Sequence, residues 1–257
     1  MKRYITIIAV LAALISCQKE GPADVPGDNQ IVFEFGLPAT KATAENFEVG
    51  DKVSVWAVEY AAEDAPELQV GGNFLNNEML TYDGSKWAGR TMYWSEKPCD
   101  FYAVYPYSSA KSIDASNITV TLPAAQTSAA GTFAEEHNIS VAHGVKEVGE
   151  ESVEGVMFDN VCGLIQFTVP QRISAVKNVV FKAENRSLAG DLVISKDGLK
   201  VESVANGTNS VSMSGDFAAG STFYFVVAPG EVNGFSITVT AQNGATYSKV
   251  SSKSFTV

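Results

Sequence analysis

The sequence predicts an all-β fold, and three features predict it. Apolar and polar side chains alternate with a period of two through much of the chain. The alternating runs are rich in β-branched and aromatic residues, and turn residues interrupt them at short intervals. No stretch of a dozen residues carries a helical stripe. Residues 59–68 have room for one short turn of helix, which Pro66 limits.

The first strand is read over residues 31–37. Ile31, Phe33, Phe35 and Leu37 share one face, and Val32 and Glu34 the other. Val53, Val55 and Ala57 mark the next strand. Ile118 to Leu122 alternates strictly and stops at Pro123. A new series begins at residues 156–169. Phe223, Phe225 and Val227 alternate with Tyr224, Val226 and Ala228 until Pro229-Gly230 breaks the run. Phe235, Ile237 and Val239 alternate with Ser236, Thr238 and Thr240. Asp83-Gly84, Asp197-Gly198 and Asn243-Gly244 are hairpin turns, because these residues tolerate positive φ.

Composition bounds the function. The 257 residues include 29 acidic and 18 basic ones, for a net charge of −11, with 46% hydrophobic and 18% charged residues. That is an ordered chain, long enough for one large β domain or two of roughly 100–150 residues. The acidic balance repels phosphate backbones and excludes nucleic acid as a partner. An acidic, glycine-rich stretch at 144–155 divides the chain at about residue 152. Residues 31–152 and 153–257 are then two units, the second with about seven short strands, enough for one sandwich. Residues 147–154 read as a solvated acidic loop.

The N-terminus is a targeting segment. Lys2 and Arg3 precede an apolar run over 5–15, too short to span a bilayer core of roughly 30 Å. This is the pattern of a secretory signal peptide. Leu14-Ile15-Ser16-Cys17 resembles a bacterial lipobox. The resemblance implies cleavage after residue 16, a diacylglycerol on the Cys17 thiol and an acylated amine, several chains that together anchor stably. Residues 17–30, polar and rich in Pro and Gly, form a flexible tether. Cys17-Gln18-Lys19-Glu20 also resembles the surface-export signal of Bacteroidetes lipoproteins.

Chemistry-bearing motifs are few. There is no G-x-S-x-G, H-E-x-x-H, P-loop or C-x-x-C. His137 and His143 lie six apart; on one strand they share a face about 20 Å apart, too far to share a metal. They read as two surface histidines. Cys99 and Cys162 sit in apolar runs and read as buried free thiols, with a disulfide as the other reading. Tyr93, Trp94, Phe101, Tyr102, Tyr105 and Tyr107 supply either core packing or a sugar-stacking surface.

Several segments together resemble the fimbrillin family of Bacteroidetes, whose members build or anchor type V pili. Phe47-Glu48-Val49-Gly50-Asp51-Lys52-Val53-Ser54-Val55 is similar to its F-x-x-G-D-x-I-x-V strand, and Tyr82 to Trp87 to its Y-x-x-x-x-W hairpin. Thr91-Met92-Tyr93-Trp94, with the C-D-F-Y-A-V-Y-P run at 99–106, resembles its most specific signature. Phe158 to Phe167 resembles F-x-H-x-x-x-x-L-x-F, with Asn160 where a His is common. Leu188-Ala189-Gly190 and Phe223 to Gly230 match two further strands.

The resemblance implies two tandem β-sandwich domains of transthyretin-like topology and a non-enzymatic role at the outer membrane in pilus assembly and adhesion. It implies that a protease removes the first strand and that a strand from another subunit fills the groove. Ile31, Phe33, Phe35 and Leu37 are then the exchanged side chains. Lys41 is the nearest basic residue for cleavage, where the family has an Arg. The implied partners are other pilus subunits or further copies of this chain, the membrane through the lipid on Cys17, and a host or glycan ligand. No metal and no cofactor beyond that lipid is expected. The alternative is a surface lipoprotein that never polymerises and binds glycan or host ligands through exposed aromatics. The chain stops in a strand at Ser254-Phe255-Thr256-Val257, early against the family pattern. A fragment and a true last strand both explain this, so the second unit is complete or incomplete accordingly.

Overall fold

The computed structural model describes residues 30–36, 47–59, 74–94, 97–129, 131–146, 152–173 and 175–257. The expected residues Cys17, Leu37 and Lys41, and the short helical turn at 60–68, lie outside them.

The fold is all-β. In chain order the strands are β1 Val32–Gly36, β2 Lys52–Glu59, β3 Leu75–Tyr82, β4 Trp87–Ala88, β5 Cys99–Tyr105, β6 Ala110–Ile113 and β7 Asn117–Leu122. The short pieces β8 Ala125–Gln126, β9 Ser128–Ala129 and β10 Thr132–Phe133 follow, then β11 Ser140–Lys146, β12 Ser152–Asn160 and β13 Gly163–Thr168. The chain continues through β14 Ala175–Ala183, β15 Ala189–Ser195, β16 Val201–Thr208, β17 Ser210–Ala218, β18 Thr222–Val227, β19 Glu231–Ala241 and β20 Thr246–Thr256.

A seven-stranded sheet runs in the order β1-β12-β11-β5-β2-β3-β4. Among the described residues the other sheets are a five-stranded one, β20-β19-β14-β17-β8, a four-stranded one, β16-β15-β7-β6, and the pairs β13-β18 and β10-β9. The three expected hairpin turns carry their glycines at φ of +100° (Gly84), +84° (Gly198) and +88° (Gly244).

The centre of the seven-stranded sheet is buried on both faces. On β2, Val53, Val55 and Ala57 enter one apolar cluster and Trp56 and Val58 another. On β5, Phe101, Ala103 and Tyr105 face the first cluster, Tyr102 and Val104 the second. Such strands read as continuous apolar runs rather than as alternation. The sheet is therefore a wall shared by two cores. The second core takes Ile118 and Val120 from β7, Phe181 from β14, Leu192 from β15 and Phe225 from β18.

Strand pairing crosses the expected division at residue 152. β12 lies inside the first sheet, antiparallel to β11 through Val141↔Asp159 and parallel to β1 through Phe33↔Val153. In the other direction, β7 pairs with β15 through Leu192↔Val120, and β8 with β17. Strand β12 therefore completes the first sheet, and residues 110–126 are built into the later ones.

The histidine reading is corrected. His137 sits in a 3-10 turn, Glu135–His137, and is 4% exposed, so it shares no strand with His143. Its Nε2 accepts the Thr127 N–H at 2.9 Å, which requires the neutral ring with the proton on Nδ1. Nδ1 has no partner. Burial pushes the imidazole pKa below its ordinary value. The unfolded chain therefore binds this proton more readily than the folded one. Stability contributed by the neutral ring is present above about pH 6.5 and is lost as pH falls below it. We expect the melting temperature to fall between pH 7.5 and 5, and His137→Gln to fall less over that range. Parallel curves for the two proteins would show that His137 is not the group responsible.

Candidate functional site

Strand β1 and the groove beneath it form the candidate site. The segment Val32-Phe33-Glu34-Phe35-Gly36 is a strand because its faces differ: Val32 and Glu34 are exposed and Phe33 is 1% exposed. Among the described residues β1 has one neighbour in the sheet, β12, and the two run parallel. The register shifts between Phe33 and Phe35, which pair with Val153 and Val156. Below the strand, the Ile31 N–H donates to the Met92 carbonyl at 2.9 Å, and Gln30 bridges to Tyr93.

Aromatic rings line the groove. Phe33 meets Phe35 at 5.7 Å between ring centroids and Phe101, edge-on, at 5.9 Å. Phe35 meets Phe158 at 5.4 Å and Trp87 at 5.8 Å. Trp87 lies on β4, at the opposite edge of the same sheet. The sheet thus curls until its two edges meet across the core. Phe47 completes the enclosure, 4.8 Å from Trp87, 5.5 Å from Tyr105 and 5.8 Å from Phe158. The edge-on rings match the aromatic quadrupole preference.

The structure brings Ile31, Phe33 and Phe35 together on this groove, with Ile31 5% exposed and Phe35 half-buried. Sequence reasoning missed the strand's partner, β12. It also placed Phe158 in a later unit, whereas that ring is part of the groove floor. Alternation at Val156 and Phe158 marks a strand but carries no signal for which sheet the strand joins.

The aromatic cluster divides. Phe101, Tyr102 and Tyr105 are buried core residues, and Trp94 packs on Phe101 at 5.7 Å. Tyr93 is 57% exposed, and Tyr107 is half-buried in a 3-10 turn, Tyr107–Ser109. His143 is not an isolated surface residue. Its Nε2 lies 2.5 Å from Asp100 Oδ1, its ring stacks on Tyr102 at 4.6 Å, and the Tyr102 hydroxyl donates to Asp100 Oδ2 at 3.0 Å. This contact serves Asp100, which is 3% exposed and needs its oxygens paired. Cys99 is buried and Cys162 half-buried, neither in a disulfide among the described residues, and burial pushes the Cys162 thiol up to about 12. Among the described residues no group of three or more His, Cys, Asp or Glu could hold a metal ion.

Residues 40–257 match the family described as fimbrillin-like. The fold is similar to that of a Bacteroides ovatus protein described as a candidate cell adhesion protein. The TM-score is 0.56 and the identity 16%, over 86% of this chain and 85% of that one. A candidate cell adhesion protein from Bacteroides uniformis gives a TM-score of 0.48 at 15% identity, over 86% and 84% of the two chains. A Bacteroides ovatus fimbrial protein gives 0.42 at 13% identity, over 86% of this chain and 45% of that one. Among curated proteins there is no match.

Proposed function

We propose that this chain, which belongs to the fimbrillin-like family, is a non-enzymatic fimbrial subunit of the cell surface that joins its neighbours by strand exchange at β1. One observation carries the reading. Among the described residues β1 is held by a single parallel neighbour, yet it supplies two of the rings that close the first core. Lifting it exposes a groove floored by Phe101, Val156 and Phe158. A strand from another subunit can enter such a groove by β-augmentation, with main-chain hydrogen bonds for affinity and alternate side chains for register. Ile31, Phe33, Phe35 and Leu37 are the exchanged positions, Lys41 is the processing residue, and a lipid on Cys17 holds the chain to the outer membrane until that cut is made.

The test is an unboiled denaturing gel of surface-sheared material, blotted for this protein. Strand-exchanged polymers unfold slowly and should run as a ladder that collapses on boiling. Polymer subunits should begin at Ala42, and Cys17→Ala should abolish fatty-acid labelling. A single band that stays with the cells would overturn the polymer reading. Labelling that survives Cys17→Ala would overturn the lipid site.

A further inference from the structure

A second feature stands apart from the β1 groove. A cleft of about 500 Å³ opens where the start of β2, the middle of β3 and the end of β5 meet the two 3-10 turns. That volume falls within the range of small-molecule sites and far exceeds the space of a lone ion. Met79, 43% exposed, and the half-buried Tyr107 give it apolar surface. Asp51, Lys52, Ser108 and Glu136 give it polar groups.

The polar groups are of every hydrogen-bonding kind: carboxylate acceptors, an ammonium donor, and hydroxyls that do both. Asp51 is fixed in place, since its Oδ2 accepts the Glu48 N–H at 2.8 Å and its Oδ1 the Tyr105 hydroxyl at 3.2 Å. Lys52 and Glu136 form no ion pair among the described residues. Both are exposed and line the cleft.

A ligand that fits must carry apolar C–H faces and, around them, groups that both donate and accept. A pyranose ring has that surface. The charges narrow the class. Two carboxylates against one ammonium, on a chain of net charge −11, disfavour sulfated or carboxylated sugars. We propose that this cleft binds a neutral saccharide. The inference does not depend on strand exchange, because none of the groups it uses lies on β1.

The test is saturation-transfer NMR on the full chain, held in a detergent without a sugar headgroup. The probes are lactose, maltose, mannobiose and chitobiose, with a heparin disaccharide as the anionic comparison. Transfer to at least one neutral sugar is expected. Tyr107→Ala and Glu136→Gln should each weaken that sugar by about tenfold, the scale of one lost charge-assisted bond or stacking contact. Glu202→Gln, in a different surface cleft, should leave it unchanged. Glu136 is exposed, so its substitution keeps the fold. Absence of transfer to every neutral sugar would overturn the proposal. So would transfer that survives both substitutions, or a preference for the heparin fragment. The polymer ladder reads β1, so it stays intact whichever way this experiment falls.

Discussion

Phe33→Ala should destabilise the protein by about 3–5 kcal/mol, the range for removing a fully buried phenylalanine. The ring is 1% exposed and lies against Phe35 and Phe101. Its neighbours come from β5 and β12 at the middle of a sheet, so they cannot easily collapse into the space. A loss of this size is a large share of the roughly 5–15 kcal/mol that holds a domain together. It should also fall unevenly. Among the described residues β1 is an edge strand with one sheet neighbour, so the variant should release β1 before the rest of the sheet unfolds. Guanidinium midpoints measure the total loss, and hydrogen exchange at residues 32–36 measures the local one. Val32→Ala, on the outer face and 37% exposed, should change stability by no more than about 0.5 kcal/mol. A Phe33→Ala loss below 1 kcal/mol would falsify the seating of β1 described above, and with it the groove as an exchange site.

The parts of this site that the sequence revealed are those that local periodicity can express. Alternation at Phe33 and Phe35 gives the strand and its buried face, because side-chain direction repeats every two residues. It does not give the neighbour. β12 is more than a hundred residues away, and its own alternation is satisfied equally well in any sheet with a buried face. The pairing across residue 152 is hidden for the same reason: a polar, glycine-rich stretch marks a turn or a linker alike. On β2 the alternation of Val53, Val55 and Ala57 was only half the pattern. Trp56 and Val58 are buried as well, on the opposite face, and a run apolar on both faces signals a wall between two cores. His137 was misplaced because its spacing from His143 was read on a strand, while residues 135–137 close a 3-10 turn. The saccharide cleft draws on four separate segments, and spacing along the chain cannot show that they converge.

Gln126 is the residue whose importance the sequence hides most completely, and its replacement should have the second large effect. It follows two alanines and precedes a threonine, with no motif around it. In the fold it is 6% exposed. Its amide oxygen accepts the Val226 N–H at 2.9 Å, and its amide nitrogen donates to the Val226 carbonyl at 2.6 Å and to the Pro123 carbonyl at 3.2 Å. One side chain thus does for Val226 what a neighbouring strand would do, supplying a donor and an acceptor to the backbone of a residue that is itself 1% exposed. Gln126→Leu keeps the approximate volume and leaves those backbone groups buried without partners. Each unpaired group costs about 1–3 kcal/mol, so a loss of about 3 kcal/mol is expected in urea unfolding. Gln126→Glu separates this account from simple packing. The carboxylate can still accept the Val226 N–H, but it sets a negative oxygen against two carbonyls. Its protonated form restores a donor. The folded glutamate should therefore bind its proton more tightly than the unfolded one, and the deficit against wild type at the same pH should shrink as pH falls from 7 toward 4. A Gln126→Leu protein as stable as wild type, or a glutamate variant whose deficit ignores pH, would mean that water or a shifted backbone satisfies Val226 instead.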